Sequence, residues 1–184
     1  MAISSTIYKA DIQISNMDSN YYQNHQLTIA KHPSETETRL MVRLVAFMLY
    51  ADESLTFGNG ISNKDEPDLW KKDLTGAVDL WIDVGMPDER EIRKACGKAR
   101  QVVVILYGGN KANLWWNDNQ TLLKRNKNLT VIILSQETTT KIEKSVSRNM
   151  KLSCTIEDGQ VWLINDKEMI SLDTAVLYSP DLRK

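Results

Sequence analysis

Histidine and cysteine are scarce in this sequence, with two of each in 184 residues. Cys96 and Cys154 lie far apart and form no Cys-x-x-Cys pair. They read as two reduced, buried thiols. With so few soft ligands beside His25 and His32, a zinc site is disfavoured. A surplus of charge is also missing: Lys plus Arg number 23 against 24 Asp plus Glu. A strongly basic chain built for non-specific DNA binding is thereby excluded, and any nucleic-acid surface must be a local patch. No apolar stretch approaches the length of a membrane span. The N-terminal residues, Met1 to Ile14, alternate polar and apolar side chains and lack a basic start followed by an apolar run. The expectation is a soluble, cytoplasmic protein. There is no internal repeat and no low-complexity linker.

What is present describes one ordinary α/β domain spanning residues 1–184. The hydrophobic fraction is 42% and the charged fraction 26%, both normal for a globular protein. Residues 5–14 alternate with period two, and residues 26–30 return as a partner strand after a turn-rich segment. A helix follows, with Ser34 as N-cap and Glu37 completing a capping box. Leu40, Met41, Leu44, Val45 and Met48 form its apolar stripe. Val42, Phe47 and Leu49 widen that stripe, leaving Arg39, Arg43 and Tyr50 as a narrow polar strip. The helix is expected to end near Asp52. Short strands are expected at 55–57, stopped by Gly58-Asn59-Gly60, and at 67–70, within a polar and irregular stretch over 61–77. Val78 to Val84 is the clearest strand in the chain. Pro87 is placed at the first position of the next helix. Residues 101–107 and 129–134 are continuous apolar runs, as in buried parallel strands. Helices are expected over 111–125 and 136–149, then an Asp-Gly hairpin over 151–164. One more strand is expected within 169–177. The alternation argues for a mixed β-sheet flanked by helices, with N- and C-terminal hairpins as antiparallel edges.

The chemistry is expected between Glu35 and Lys98. Asp68 and Asp83 come from neighbouring strands with a spacing that permits convergence. Two acids on adjacent strands can share a divalent cation, and carboxylate ligands suit Mg²⁺ or Mn²⁺. Such an ion polarises a phosphodiester and acidifies a bound water. A glutamate from the preceding helix, Glu35, is the candidate third ligand, directly or through water.

Ile7-Tyr8-Lys9-Ala10, His32-Pro33-Ser34-Glu35-Thr36, Tyr50-Ala51-Asp52-Glu53, Asp65-Glu66-Pro67, Asp79-Leu80-Trp81-Ile82, Pro87-Asp88-Glu89-Arg90 and Lys94-Ala95-Cys96 resemble, in the same order, the YaeQ family of bacterial proteins. The resemblance covers nearly the whole chain. It implies a compact restriction-endonuclease-like core of the PD-(D/E)XK superfamily. Pro67-Asp68 matches the PD element and Asp83 the second acid, but Gly85 stands where that superfamily carries lysine. In some of its members the lysine comes from a helix. Lys94, Arg90 and Arg93 are the candidates here, and helical projection places Arg90 and Arg93 nearer the site than Lys94.

Each of these residues also has a structural reading. Asp83 can be a solvated strand end and Asp68 a turn acid. Glu35 can pair with Arg39 four residues on. Asp79, ~13 Å behind Asp83 by strand rise, reads as a structural acid, and Trp81 as core rather than a base-stacking platform. Lys141, Lys144, Arg148 and Lys151 form a basic stripe on the penultimate helix, either solvated or in contact with phosphates. The leading expectation is a nucleic-acid-associated protein, for DNA or RNA, with a nuclease-type metal site. Its competitors are a non-catalytic nucleic-acid or protein interaction module on the same fold, and a regulator that binds protein through aromatic surface. A chain of this kind is compatible with a monomer.

Overall fold

Alternation at the N-terminus builds a longer hairpin than the apolar runs alone mark out. The computed structural model describes residues 4–59 and 65–183. In it β1 (Thr6–Asn16) and β2 (Tyr21–Lys31) pair antiparallel along their full length. Tyr8, Ala10, Ile12 and Ile14 point to a buried face, while Ile7, Lys9 and Gln13 face solvent. The expectations for residues 1–3, Gly60 and residues 61–64 lie outside the described residues.

The terminal hairpins do not edge the central sheet. They form a sheet of their own. β1 runs parallel to β8 (Asn149–Glu157), and β9 (Gln160–Ile164) and β10 (Met169–Leu172) complete the order β10-β9-β8-β1-β2. The β8–β9 turn uses Asp158 and Gly159 at φ 51° and 74°, as an Asp-Gly hairpin requires. The expected single mixed sheet is therefore two mixed sheets, because the pairing that splits them joins residues about 140 positions apart in sequence.

The second sheet has six strands in the order β11-β7-β6-β5-β4-β3. These are β3 (Leu55–Phe57), β4 (Leu69–Lys72), β5 (Val78–Val84), β6 (Ala99–Leu106), β7 (Leu129–Leu134) and β11 (Thr174–Tyr178). β5, β6 and β7 are parallel and central, as their apolar runs predict. Their crossovers carry α2 (Glu89–Lys98) and α3 (Asn110–Leu123). The tail supplies two strands instead of one, β10 to the first sheet and β11 to the second, tying the sheets together.

Helix α1 (Glu37–Leu49) is buried at every position from Leu40 to Met48. It packs in one core shared by both sheets, which accounts for its nearly all-round apolarity. Its N-cap is Thr36, whose side chain accepts from Arg39 N. Ser34 instead pairs with the His32 ring at 2.6 Å. The capping box therefore fails by two residues, and the helix stops at Leu49, three residues before Asp52. Helix α2 is capped by Asp88, so Pro87 precedes the cap and is not the first helical residue. Helix α4 (Gln136–Glu143) is shorter than expected. Lys144 caps it, Arg148 donates to Ile7 O from the following loop, and Lys151 sits in β8. The basic stripe does not exist as one helical face. A second core packs α2 and α3 against the other side of the six-stranded sheet. Among the described residues no helix is long and apolar enough to cross a membrane.

Candidate functional site

The β4–β5 hairpin brings the two aspartates together. Leu69 pairs with Ile82 in antiparallel register, which sets Asp68 beside the end of β5. Val84 N donates to Asp68 Oδ2 at 2.8 Å, and Asp68 N leans on Asp83 Oδ1 at 3.4 Å. Gly58 holds this corner in place. Its N–H donates to Asp68 O at 2.9 Å, and a Cβ at Gly58 would collide with the Pro67 carbonyl oxygen.

Two arginines from α1 occupy the space behind the acids. Arg43, 1% exposed, grips Glu35 through Nε at 2.8 Å and Nη2 at 2.9 Å, and also donates to Ala30 O of β2. Arg39 donates through Nη1 to Glu35 at 3.0 Å and through Nη2 to Asp68 Oδ1 at 2.6 Å. Burial opposes the charge of Arg39, but the carboxylates of Asp68 and Glu35 outweigh it and hold its pKa above the usual value. Glu35, Arg43, Arg39 and Asp68 carry two charges of each sign and balance. Asp83 is the surplus. Its hydrogen-bond partners are the Trp81 indole N–H at 2.8 Å and the Asp68 N–H, both neutral. Burial pushes its carboxyl up to about 6, and the neighbouring Asp68 charge adds to the rise against the Trp81 hydrogen bond.

These groups open into a cleft of about 590 Å³. It lies at the carboxyl ends of β5 and β6, the end at which open α/β sheets receive ligands. Arg39 of α1 lines it together with Asp68, Trp81 and Asp83 on the sheet side, Glu91, Lys94, Ala95 and Lys98 of α2, and Tyr107. Burial raises the Tyr107 hydroxyl above its ordinary pKa.

The sequence-predicted residues divide accordingly. Asp68 and Asp83 converge in the cleft. Glu35 sits behind them with both oxygens taken by arginine. Among the described residues no group of three or more His, Cys, Asp or Glu is arranged to hold a metal. Lys94 lines the cleft and pairs with Asp65 at 2.8 Å. Arg90 and Arg93 do not line it: Arg90 is exposed, and Arg93 lies toward Glu89 at 4.0 Å. The projection that favours them is corrected by the true buried face of α2, Ile92 and Ala95, which turns positions 91, 94 and 98 toward the cleft. Gly85 follows the last residue of β5 at φ 97°. It has left the strand alternation that would have aligned it with Asp83. Asp79 pairs with Arg100 at 2.6 Å, the structural role expected of it. Trp81 is buried, yet its indole N–H fixes Asp83. Sequence reasoning misses Arg43 and Lys98 as parts of the site and reads Arg39 only as a partner of Glu35. For Arg43 the signal is an arginine in a helix otherwise apolar on nearly every side.

The profile of the family described as YaeQ protein matches residues 1–174. The chain belongs to the YaeQ family. It is 40% identical over 180 residues to the YaeQ protein of Escherichia coli (strain K12), covering 98% of this chain and 99% of that one. The Salmonella typhi YaeQ protein is 38% identical over 180 residues, again covering 98% and 99%. The crystal structure of YaeQ from Xanthomonas axonopodis pv. citri superposes with a TM-score of 0.93 at 47% identity, covering 96% of this chain and 100% of that one. That of Pseudomonas syringae gives 0.91 at 31% identity, covering 95% and 97%. Membership in the YaeQ family thus accounts for the whole architecture.

Proposed function

We propose that the cleft binds a nucleic-acid phosphodiester together with a divalent cation, Mg²⁺ or Mn²⁺, on a compact PD-(D/E)XK, restriction-endonuclease-like scaffold. The observation that carries this reading is Asp83: a half-buried carboxyl facing an open cleft, with an adjacent acid and, among the described residues, no ion pair of its own. Two carboxylates with waters and substrate oxygens are an ordinary Mg²⁺ set, because Mg²⁺ keeps several waters and takes one or two protein acids. The donor set fits a cation held by Asp68 and Asp83, whose oxygens keep lone pairs beside their hydrogen bonds, with Glu35, held by Arg39 and Arg43, acting through water. The bound ion would supply Lewis acidity toward a phosphoryl oxygen and an acidified water. Lys94 and Lys98 place positive charge at the rim.

A second reading is a non-catalytic nucleic-acid or protein interaction module on the same scaffold. It is favoured by the Arg39–Asp68 ion pair, which neutralises one acid of the pair, and by Gly85 in place of lysine. The test is incubation of 5′-labelled single-stranded DNA and RNA with the protein and Mn²⁺. The first reading expects cleavage that is lost in Asp83→Ala and on chelation. Retention of the labelled strand without cleavage supports the second. Neither retention nor cleavage would overturn both nucleic-acid readings.

A further inference from the structure

The cleft lacks lysine at Gly85, yet it is not without a deeply placed cation. Arg39 is the only basic side chain lining it that touches one of the paired acids, among the described residues. Arg43 is closed from solvent on Glu35 and Ala30 O, Lys94 is held at the rim by Asp65, and Lys98 lies beside the Trp81 ring at 5.8 Å from its centroid. The Arg39 side chain is 19% exposed and lines the cleft. A guanidinium carries five N–H donors. Arg39 spends one on Glu35 and one on Asp68 in side-chain bonds. Because Arg43 already meets Glu35 with two hydrogen bonds, the Arg39 charge is not needed to neutralise that acid.

Resting on the nucleic-acid reading above, we propose that Arg39 is the phosphate-binding residue of this cleft, shared between Asp68 and a phosphoryl oxygen. A planar guanidinium suits that task, since it offers paired donors to phosphate while holding a carboxylate with its other edge. The same placement makes Arg39 a competitor of any cation for Asp68. The two roles have opposite consequences when Arg39 is removed. Phosphate binding weakens because its donor is gone. Cation binding strengthens because Asp68 is released and the negative charge of the acid pair is no longer offset.

The test measures two affinities on the full chain. One is for Mn²⁺ alone. The other, at fixed saturating Mn²⁺ and chelator-free low salt, is for a fluorescein-labelled single-stranded oligonucleotide. The expectation for Arg39→Gln is a loss of about 10- to 100-fold in oligonucleotide affinity, the effect of one charged hydrogen-bonding group, with Mn²⁺ affinity raised. Arg39→Lys keeps the charge without the paired donors and should fall between wild type and Arg39→Gln on both axes; it also serves if Arg39→Gln does not fold. Unchanged oligonucleotide affinity in the folded variants would overturn the proposal. So would parallel loss of both affinities, which marks Arg39 as a structural brace. If the wild type binds Mn²⁺ but no oligonucleotide, the functional reading itself fails, and that failure is visible before any Arg39 variant is compared.

Discussion

Asp83 and Glu35 are both acids near the cleft, and their partners differ: neutral N–H groups meet Asp83, whereas arginines hold Glu35. Asp83 holds its proton to about 6, against 3.8 for the unperturbed side chain. Below about pH 4 folded and unfolded chains are both protonated and Asp83 contributes nothing. Between those values the unfolded chain releases the proton first, so stability falls as pH rises. Above pH 6 the cost is complete, on the order of 3 kcal/mol. In divalent-free buffer Asp83→Asn should therefore be more stable than wild type at pH 7.5, with the advantage vanishing near pH 4. Urea denaturation across that range measures it, and a variant less stable at neutral pH would refute the account. Glu35 is an acid held by a buried arginine. Glu35→Ala leaves Arg43 buried without a counter-ion, and such breakage costs about 3–5 kcal/mol. The same denaturation measurement should register that loss. Glu35→Gln, if folded, should keep Mn²⁺ binding, because arginines already hold both Glu35 oxygens.

At the scale of elements, β5 decides what the motif can contain. Its register is legible because Val78, Leu80, Ile82 and Val84 alternate cleanly and the neighbouring strands are apolar runs. The turn after it is not. Alternation counts residues as though the strand continued, whereas β5 ends at Val84 and Gly85 adopts φ 97°. Placing a side chain at this turn by Gly85→Lys should cost about 1–2 kcal/mol, the penalty for a left-handed non-glycine residue, seen as a lower urea midpoint. A Gly85→Lys protein as stable as wild type would show that the turn tolerates side chains. Helix α1 teaches a similar lesson. Its apolar pattern announces deep burial, but the partners of Arg39 and Arg43 lie on other elements, so sequence spacing exposes only the Glu35–Arg39 pair. The N-cap moves because the His32 ring takes the Ser34 hydroxyl and leaves the cap to Thr36.

For the whole molecule, the central parallel strands and their helices are readable locally, whereas the division into two sheets is not. β1 meets β8 across most of the chain, and no hydrophobic period records a partner that distant. The same long-range placement scatters the expected basic stripe over a helix end, a loop and a strand. Charge reversal at Lys144 and Arg148 should thus leave the salt dependence of oligonucleotide binding unchanged. Reversal at Lys94 or Lys98, on the cleft wall, should lower the log–log salt slope by roughly 0.7–0.9 for each phosphate no longer neutralised. Fluorescence anisotropy over a salt series distinguishes the two pairs. Asp83 is the one unbalanced charge of the acid–arginine cluster at the cleft. Titration of Mn²⁺ into the full chain at pH 7.5, followed by electron paramagnetic resonance, tests it most directly. One ion should bind per chain, with binding lost in Asp83→Asn and retained in the Asp79→Asn control. Absence of bound Mn²⁺ in the wild type, or undiminished binding in Asp83→Asn, would contradict it.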